Sequence, residues 1–352
     1  MTLEERISAF AALGQFMGQF ASEPTRPEAS VPHNGLFLDR METEIGASQS
    51  RNGWFTPKEV RFALGSWAKA LTTENLAMWV GNHEFPDRPA KTIGLVLAGN
   101  IPLVGFHDFL SVLITGNKVL AKLSSSDQKL LPLVADYLIA VEPAFGPMIQ
   151  FTEDKLGGFD AVIATGSNNT ARYFEYYFKD VPSIIRRNRN SVAVLTGDES
   201  RDELVALGED IFRYFGLGCR NVSKLFVPRG YDFAKFFDAM YEYRDIVDYE
   251  KYSNNYDYNK AVFLMSRFEI LDNGFMTIKE DSAYASPISS VFYEYYDTIG
   301  EVSKILEEHS EKIQCTVAGA SIPRRVPFGR AQHPELWDYA DGVDTLTFLA
   351  NL

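Results

Sequence analysis

Cysteine, histidine and positive charge are all scarce in this chain. Its 352 residues include two cysteines and five histidines, and 34 Lys and Arg residues stand against 47 Asp and Glu. So few cysteines exclude a disulfide-rich secreted scaffold and favour a reducing cytoplasm. The formal net charge of −13 excludes the overall basic surface that binds nucleic acid or an anionic membrane. A local basic patch for a phosphorylated ligand stays open.

Long apolar runs and metal-binding motifs are also missing. The longest apolar stretch, residues 93–106, contains Asn100 and Pro102 and falls short of the roughly 18 residues that span a membrane. The histidines have no metal-ligand spacing, and neither C-x-x-C, H-E-x-x-H nor G-x-S-x-G occurs. The sequence therefore predicts no membrane segment and no metal site. Its 46% hydrophobic content is ordinary for a globular protein, and its length suits about two domains.

The apolar pattern predicts an α/β fold. Helical periodicity prevails to about residue 90, and short apolar runs then alternate with longer helical patterns. Buried parallel strands are predicted at residues 92–98, 118–123, 161–165 and 191–195, with helices at 105–115, 127–141, 168–178 and 201–215. We expect a helical region at 1–90, a Rossmann-type domain at 91–218, a second α/β domain at 219–329 and a C-terminal segment at 330–352.

Cys219 is the first candidate for chemistry. It lies in Phe-Gly-Leu-Gly-Cys-Arg-Asn, residues 215–221, between a predicted helix and a predicted strand. The glycines leave room for a ligand, and Arg220 favours the thiolate, which is the nucleophilic form. The alternative is a buried thiol that packs as a small apolar side chain. The loop position favours function for Cys219, whereas apolar strand neighbours favour a core position for Cys315.

Three further segments follow predicted strands, at the sheet edge where α/β proteins bind ligands. Asn100, in Gly-Asn-Ile-Pro at residues 99–102, carries an amide that can donate to an oxyanion, although these residues also suit a plain turn. The segments Lys-Leu-Ser-Ser-Ser (122–126) and Thr-Gly-Ser-Asn (165–168) suit phosphates at helix N-termini. Their Ser and Asn residues are equally good helix caps.

In this order, these segments resemble the aldehyde dehydrogenase superfamily and, more narrowly, the LuxC-type bacterial acyl-CoA reductases. The resemblance extends over roughly residues 91–227 and rests on residues 99–102, 114–122, 164–167, 189–194 and 218–221. It implies an aldehyde-dehydrogenase-like fold, a homodimer, Cys219 as the acyl-accepting nucleophile and Asn100 as an oxyanion donor. The cofactor-binding residues that it implies are Lys122, Ser124, Ser125, Thr165, Gly166 and Ser167.

Departures from the family pattern narrow the expected activity. Hydrolytic relatives carry a Glu that activates water, and Ile185, which has no basic group, stands at that position. A thioester on Cys219 would then survive to receive hydride or to pass to a thiol. Ser125 stands where NAD-preferring relatives carry a Glu, which favours NADPH, with Asp127 as the counter-argument. Residues 283–287 lack the Glu that would touch the nicotinamide ribose.

The sequence and the resemblance together predict a cytoplasmic, NADPH-dependent reductase of acyl-CoA, with coenzyme A leaving as Cys219 is acylated. An acyl-phosphate reductase on the same fold is the first alternative. A non-redox Cys-dependent acyltransferase or thioesterase, with His107 as its base, is the second. A catalytically inactive binding protein is the third, and the presence of Cys219 and Asn100 argues against it.

Overall fold

A computed structural model describes residues 1–85, 88–319, 322 and 325–352. They form two compact units, residues 1–187 with 335–352, and residues 188–334. Each unit combines a largely parallel β-sheet with helices, which confirms the predicted α/β class. Within these described ranges, no helix is long and apolar enough to cross a membrane.

Four helices open the first unit: α1 (Leu3–Gly18), α2 (Asn34–Arg51), α3 (Pro57–Ala70) and α4 (Thr73–Val80). Helix α1 begins with a capping box, in which the Thr2 hydroxyl accepts from the Glu5 N–H and the Glu5 carboxylate accepts from the Thr2 N–H. Thr56 caps α3, whose first residue is Pro57. The four helices share one hydrophobic core with the sheet that follows.

The sheet of the first unit has five parallel strands in the order β3-β2-β1-β4-β5. Its strands and helices are β1 (Thr92–Val96), α5 (Phe106–Ile114), β2 (Lys118–Lys122), α6 (Leu130–Val141), β3 (Ile149–Thr152), β4 (Ala161–Thr165), α7 (Asn168–Tyr177) and β5 (Ser183–Arg186). The predicted strands at 92–98, 118–123 and 161–165 are confirmed. The sequence did not reveal β3 and β5, because these short edge strands bury few apolar side chains.

The strand order of this sheet creates a switch point beside β1. From β1 the chain proceeds to β2 and β3 on one side, and then returns to place β4 and β5 on the other. Loops after β1 and β4 therefore lead away from each other and leave a crevice at the carboxyl edge, where α/β sheets bind ligands. Residues 97–102 and 166–167 occupy this edge.

The second unit has a six-stranded sheet in the order β11-β6-β7-β10-β9-β8, parallel except for β8. Its elements are β6 (Asn190–Val194), α8 (Arg201–Phe212), β7 (Val222–Pro228), α9 (Phe233–Met240), α10 (Glu250–Met265), β8 (Ile270–Asp272), β9 (Thr277–Glu280), β10 (Ser290–Tyr296), α11 (Ile299–Glu308) and β11 (Ile313–Ala318). Apolar cores cover both of its faces. This unit begins before the expected boundary at residue 219, because β6 pairs with β7 and β11 rather than with the first sheet.

The chain then returns to the first unit, where it ends with α12 (Thr345–Ala350). A buried ion pair holds this return: the Arg186 guanidinium donates to the Asp108 carboxylate at 2.6 Å. It also donates to the Ala340 carbonyl at 2.7 Å and to the Thr345 hydroxyl at 3.0 Å. The end of β5 and the C-terminal segment therefore depend on the same cation.

Replacing Arg186 should destabilise the protein far more than replacing a surface arginine. In Arg186→Met, Asp108 loses its cation in a buried site, and we expect the free energy of unfolding to fall by about 3–5 kcal/mol. Arg40→Met removes the Arg40–Asp136 pair, whose side chains are both about half exposed, and should cost less than about 1 kcal/mol. Urea unfolding monitored by circular dichroism measures both variants. Equal losses would contradict this role of Arg186.

Candidate active site

Cys219 lies exposed on a tight turn before β7. The turn, residues 218–221, is closed by the Asn221 N–H, which donates to the Gly218 carbonyl at 3.0 Å. We call it the Cys219 turn. The segment that leads into this turn has an unusual backbone. Tyr214, Phe215 and Gly216 all have left-handed conformations, with φ of 53°, 57° and 78°, and residues with bulky side chains rarely adopt such conformations. Helix α8 therefore ends earlier than predicted, and the chain reverses to present the thiol.

The buried side-chain amide of Asn221 holds this turn from inside. Its oxygen accepts from the Gly218 N–H at 2.7 Å, and its nitrogen donates to the carbonyls of Asp210, Ile211 and Arg213 at 3.1, 3.3 and 2.8 Å. One side chain thus supplies hydrogen-bond partners to backbone groups at the end of α8 and at the start of the turn. Without them, these buried groups would lack partners.

A second contact fixes the turn to residues 329–331. The buried carboxylate of Asp210 accepts from the Gly329 N–H at 2.7 Å and from the Ala331 N–H at 2.9 Å. Arg220 Nε donates to the Ala331 carbonyl at 2.5 Å, so part of the guanidinium expected to favour the thiolate is directed to the backbone. Burial raises the pKa of Asp210 to about 7, against the opposing effect of these N–H donors.

The first unit brings two of the predicted segments together at the carboxyl edge of β1 and β2. Asn100 is exposed, and the neighbouring Gly99 lies so close to Ser124 that a Cβ there would stand 2.6 Å from Ser124 Oγ. Only glycine allows this approach of the two loops. Lys122 Nζ donates to the Asp154 carbonyl at 3.2 Å, and Ser125 is exposed beside Ser124.

The Thr165–Ser167 segment follows β4 on the other side of the switch point. Ser167 caps α7, since its hydroxyl accepts from the Thr170 N–H at 3.2 Å. Gly166 N–H donates to the Arg186 carbonyl at 3.2 Å. The exposed start of this ten-residue helix offers backbone N–H groups and the positive end of its dipole. This edge therefore fits an anionic, nucleotide-type ligand.

Two titratable side chains from the sequence analysis have protein partners. His107 Nε2 lies 2.9 Å from the Leu336 carbonyl oxygen, its ring packs against Trp79 and Tyr339, and burial lowers its pKa. This packing disfavours His107 as a base for a non-redox acyltransferase. The Asp127 carboxylate accepts from the Leu103 N–H at 3.3 Å, and burial raises its pKa to about 6.

Sequence reasoning missed Asp210 and Asn221. Asn221 gave one signal, because an Asn after a glycine-flanked cysteine suits a side-chain-stabilised turn. Asp210 gave none, because an acidic residue in a predicted amphipathic helix is normally solvated. Among the residues that the structure describes, no three His, Cys, Asp or Glu side chains form a group that could hold a metal ion.

The raised pKa of Asp210 predicts how stability depends on pH. Because the native carboxyl binds its proton more tightly than the unfolded one, the native state holds the extra proton between about pH 4 and pH 7. Its stability should therefore fall as the pH rises through this window, by up to about 1.4 kcal/mol per pH unit. Asp210→Asn cannot titrate, so its unfolding free energy, subtracted from that of the wild type at each pH, isolates the group. A difference that stays constant from pH 4 to pH 8 would contradict the shift.

Comparisons with known proteins place the fold. No family model matches the chain, and no curated protein matches it in sequence. A solved structure of indole-3-acetaldehyde dehydrogenase from P. syringae, a Cys-to-Ala variant with NAD+ and IAA, matches 94% of this chain and 75% of its own, at 14% identity and a TM-score of 0.63. Aldehyde dehydrogenase 21 from Physcomitrella patens, with its product succinate, matches 100% and 84%, at 10% identity and a TM-score of 0.71. Aldehyde dehydrogenase C from Pseudomonas syringae, with NAD+ and octanal, matches 90% and 72%, at 12% identity and a TM-score of 0.62. This chain has the aldehyde dehydrogenase fold.

Proposed function

We propose that the protein is an NADPH-dependent reductase that converts an acyl-CoA thioester to an aldehyde through an acyl group on Cys219. The observation that carries the proposal is the exposed thiol of Cys219 on a turn held by buried hydrogen bonds. The fold supports it, since the solved structures with this fold include complexes with NAD+ and with octanal. Coenzyme A and a homodimeric assembly belong to the same proposal through the family resemblance.

Cys219 serves both as nucleophile and as leaving group in this scheme. Its thiolate sulfur attacks the thioester carbonyl, and collapse of the adduct breaks the bond to coenzyme A, which leaves as a thiol after taking up a proton. A nicotinamide cofactor, when bound, would supply the hydride that reduces the acyl group, and Cys219 would leave as the thiolate when the aldehyde is released. The Cys219 backbone N–H is one proposed oxyanion donor, and the family resemblance implies the Asn100 amide as another. The hydrogen bonds of Asn221 keep the turn from shifting as the sulfur gains and loses its acyl group.

The residue at position 185 favours an aldehyde over a free acid as the product. Ile185, in β5, offers no proton acceptor at the position where the resemblance places that Glu. His107, the other candidate base, already contacts the Leu336 carbonyl. A thioester on Cys219 would therefore last long enough to be reduced.

The edge of the first sheet would hold the cofactor. Lys122, Ser124 and Ser125 suit the adenosine 2′-phosphate, since a cation and two hydroxyls attract the anion that a Glu would repel. Asp127 weighs less against this arrangement, because one oxygen of its carboxylate accepts a hydrogen bond from the Leu103 N–H and burial raises its pKa to about 6, which disfavours the anion. The N-terminus of α7, with Thr165 and Gly166 before it and Ser167 as its cap, suits the diphosphate.

The activity is tested by following NADPH absorbance and aldehyde formation with acyl-CoA, acyl phosphate and a simple thioester as parallel substrates. We expect acyl-CoA to be reduced, and Cys219→Ser to lose this activity by several orders of magnitude because its hydroxyl is a far weaker nucleophile at neutral pH. Cys315→Ser is the matched control and should retain it. Reduction of acyl phosphate alone would favour the acyl-phosphate reductase. Acyl transfer or hydrolysis without NADPH consumption would establish the non-redox alternative.

Cofactor preference is tested at Ser125. The wild type should have a higher kcat/KM with NADPH than with NADH, and Ser125→Glu should lower the NADPH value by about tenfold, which corresponds to about 1.4 kcal/mol of charge repulsion. Ser125→Gln, of the same size without the charge, is the control and should change it little. A wild-type kcat/KM with NADH equal to or above that with NADPH would show that this loop does not select the phosphate.

A further inference from the structure

The backbone carbonyl of Cys219 and the thiol of Cys315 contact the same hydroxyl, that of Ser191. Ser191 Oγ donates to the Cys219 carbonyl at 2.9 Å and lies 3.0 Å from Cys315 Sγ. Because both contacts share one oxygen, Cys315 Sγ can be no farther from the Cys219 carbonyl oxygen than these two distances added together. The Cys315 N–H also donates to Ser191 Oγ, at 3.2 Å. Cys315 packs against the apolar core of the second unit, as the sequence predicts, but it is only half-buried and also contacts Ser191.

Strand pairing explains why residues so far apart in sequence come together. The register between β6 and β11 shifts around Ser191, so that Gln314 and Cys315 of β11 both stand opposite it. On its other side Ser191 pairs with Val222, the first residue of β7. Cys219 precedes Val222 by one turn. The bulge therefore directs Cys315 toward the strand end that carries the exposed thiol.

We propose that Cys315 is a resolving thiol, which forms a reversible disulfide with Cys219 when a hydroperoxide oxidises the protein. The Cys219 thiolate attacks the peroxide, its O–O bond breaks, and Cys219 becomes a sulfenic acid as the alcohol or water leaves. Cys315 sulfur then attacks Cys219 sulfur, so that an S–S bond forms and the S–O bond breaks. The departing hydroxide takes the Cys315 proton and leaves as water. Two thiols are oxidised and one peroxide is reduced.

The Ser191 hydroxyl controls this step by its position. It bridges the Cys219 carbonyl oxygen and the Cys315 sulfur, so we expect the Cys315 sulfur to leave this contact, and both cysteine side chains to rotate, before the two sulfurs bond. Disulfide formation should therefore be slow in the reduced, resting protein and faster in Ser191→Ala. The consequence for activity rests on the proposed function: an exposed nucleophile is stored as a disulfide instead of being lost to sulfinic acid.

The test treats the full chain with hydrogen peroxide and follows intact mass, non-reducing peptide maps and maleimide-reactive thiols after denaturation. We expect the wild type to lose the mass of two hydrogen atoms and both reactive thiols, with a linked peptide pair containing Cys219 and Cys315. Dithiothreitol should restore both thiols. In Cys315→Ser, and in Cys315→Ala as a second variant, Cys219 should instead gain oxygen and progress to forms that dithiothreitol cannot reverse.

Oxygen added to Cys219 without a linked pair in the wild type would overturn the proposal, as would disulfides only between two chains. The proposal would also be overturned if dithiothreitol restored the Cys219 thiol of Cys315→Ser as fully as that of the wild type. None of these readouts depends on enzymatic activity. A linked pair in a protein that reduces no acyl-CoA would support the disulfide and contradict the proposed function. An active reductase that forms no linked pair would support the proposed function and contradict the disulfide.

Discussion

The buried amide of Asn221 is the contact on which the candidate site depends most. An amide removed from water must find partners for its donors and its acceptor, and Asn221 finds them in backbone groups on both sides of a sharp reversal. These hydrogen bonds flank the left-handed residues 214–216 and help to offset the strain of their backbone conformation. The result is a thiol that faces solvent on a backbone whose other polar groups are largely committed. A nucleophile with this support approaches a carbonyl without first ordering its own loop.

Much of the fold and part of the site could be predicted from the sequence, and the exceptions share a physical origin. Interior strands such as β1 and β4 are evident because they are largely buried and almost entirely apolar. The edge strands β3 and β5 are not, since half-exposed residues leave no apolar run. The second unit begins at residue 188 rather than at the expected residue 219, because the apolar pattern of β6 does not indicate which of the two sheets it joins. The structural roles of Asp210 and Arg186 could not be predicted, because only tertiary packing buries these charged residues and gives them their hydrogen-bond partners.

The two units offer complementary chemistry by different means. In the first, anion-binding capacity comes from strand order: the switch point beside β1 leaves helix N-termini and a glycine contact at one edge. In the second, the proposed nucleophile Cys219 lies on a turn that local side-chain hydrogen bonds hold in place. A loop such as residues 122–126 can change its ligand preference with one substitution, whereas the Cys219 turn depends on several buried partners at once. If the protein has the proposed function, its cofactor preference should therefore be easier to alter than its nucleophile.

The most direct test of the account is the mass of the protein after mixing with a stoichiometric acyl-CoA in the absence of NADPH. The proposed acyl-enzyme mechanism predicts that the protein gains the mass of one acyl group, located on the peptide that contains Cys219. This acyl group should persist in water. When NADPH is added, it should be released as one equivalent of aldehyde. Acylation of Cys219→Ala to the same extent would contradict it. So would the spontaneous release of free acid from the wild-type protein before any NADPH is present.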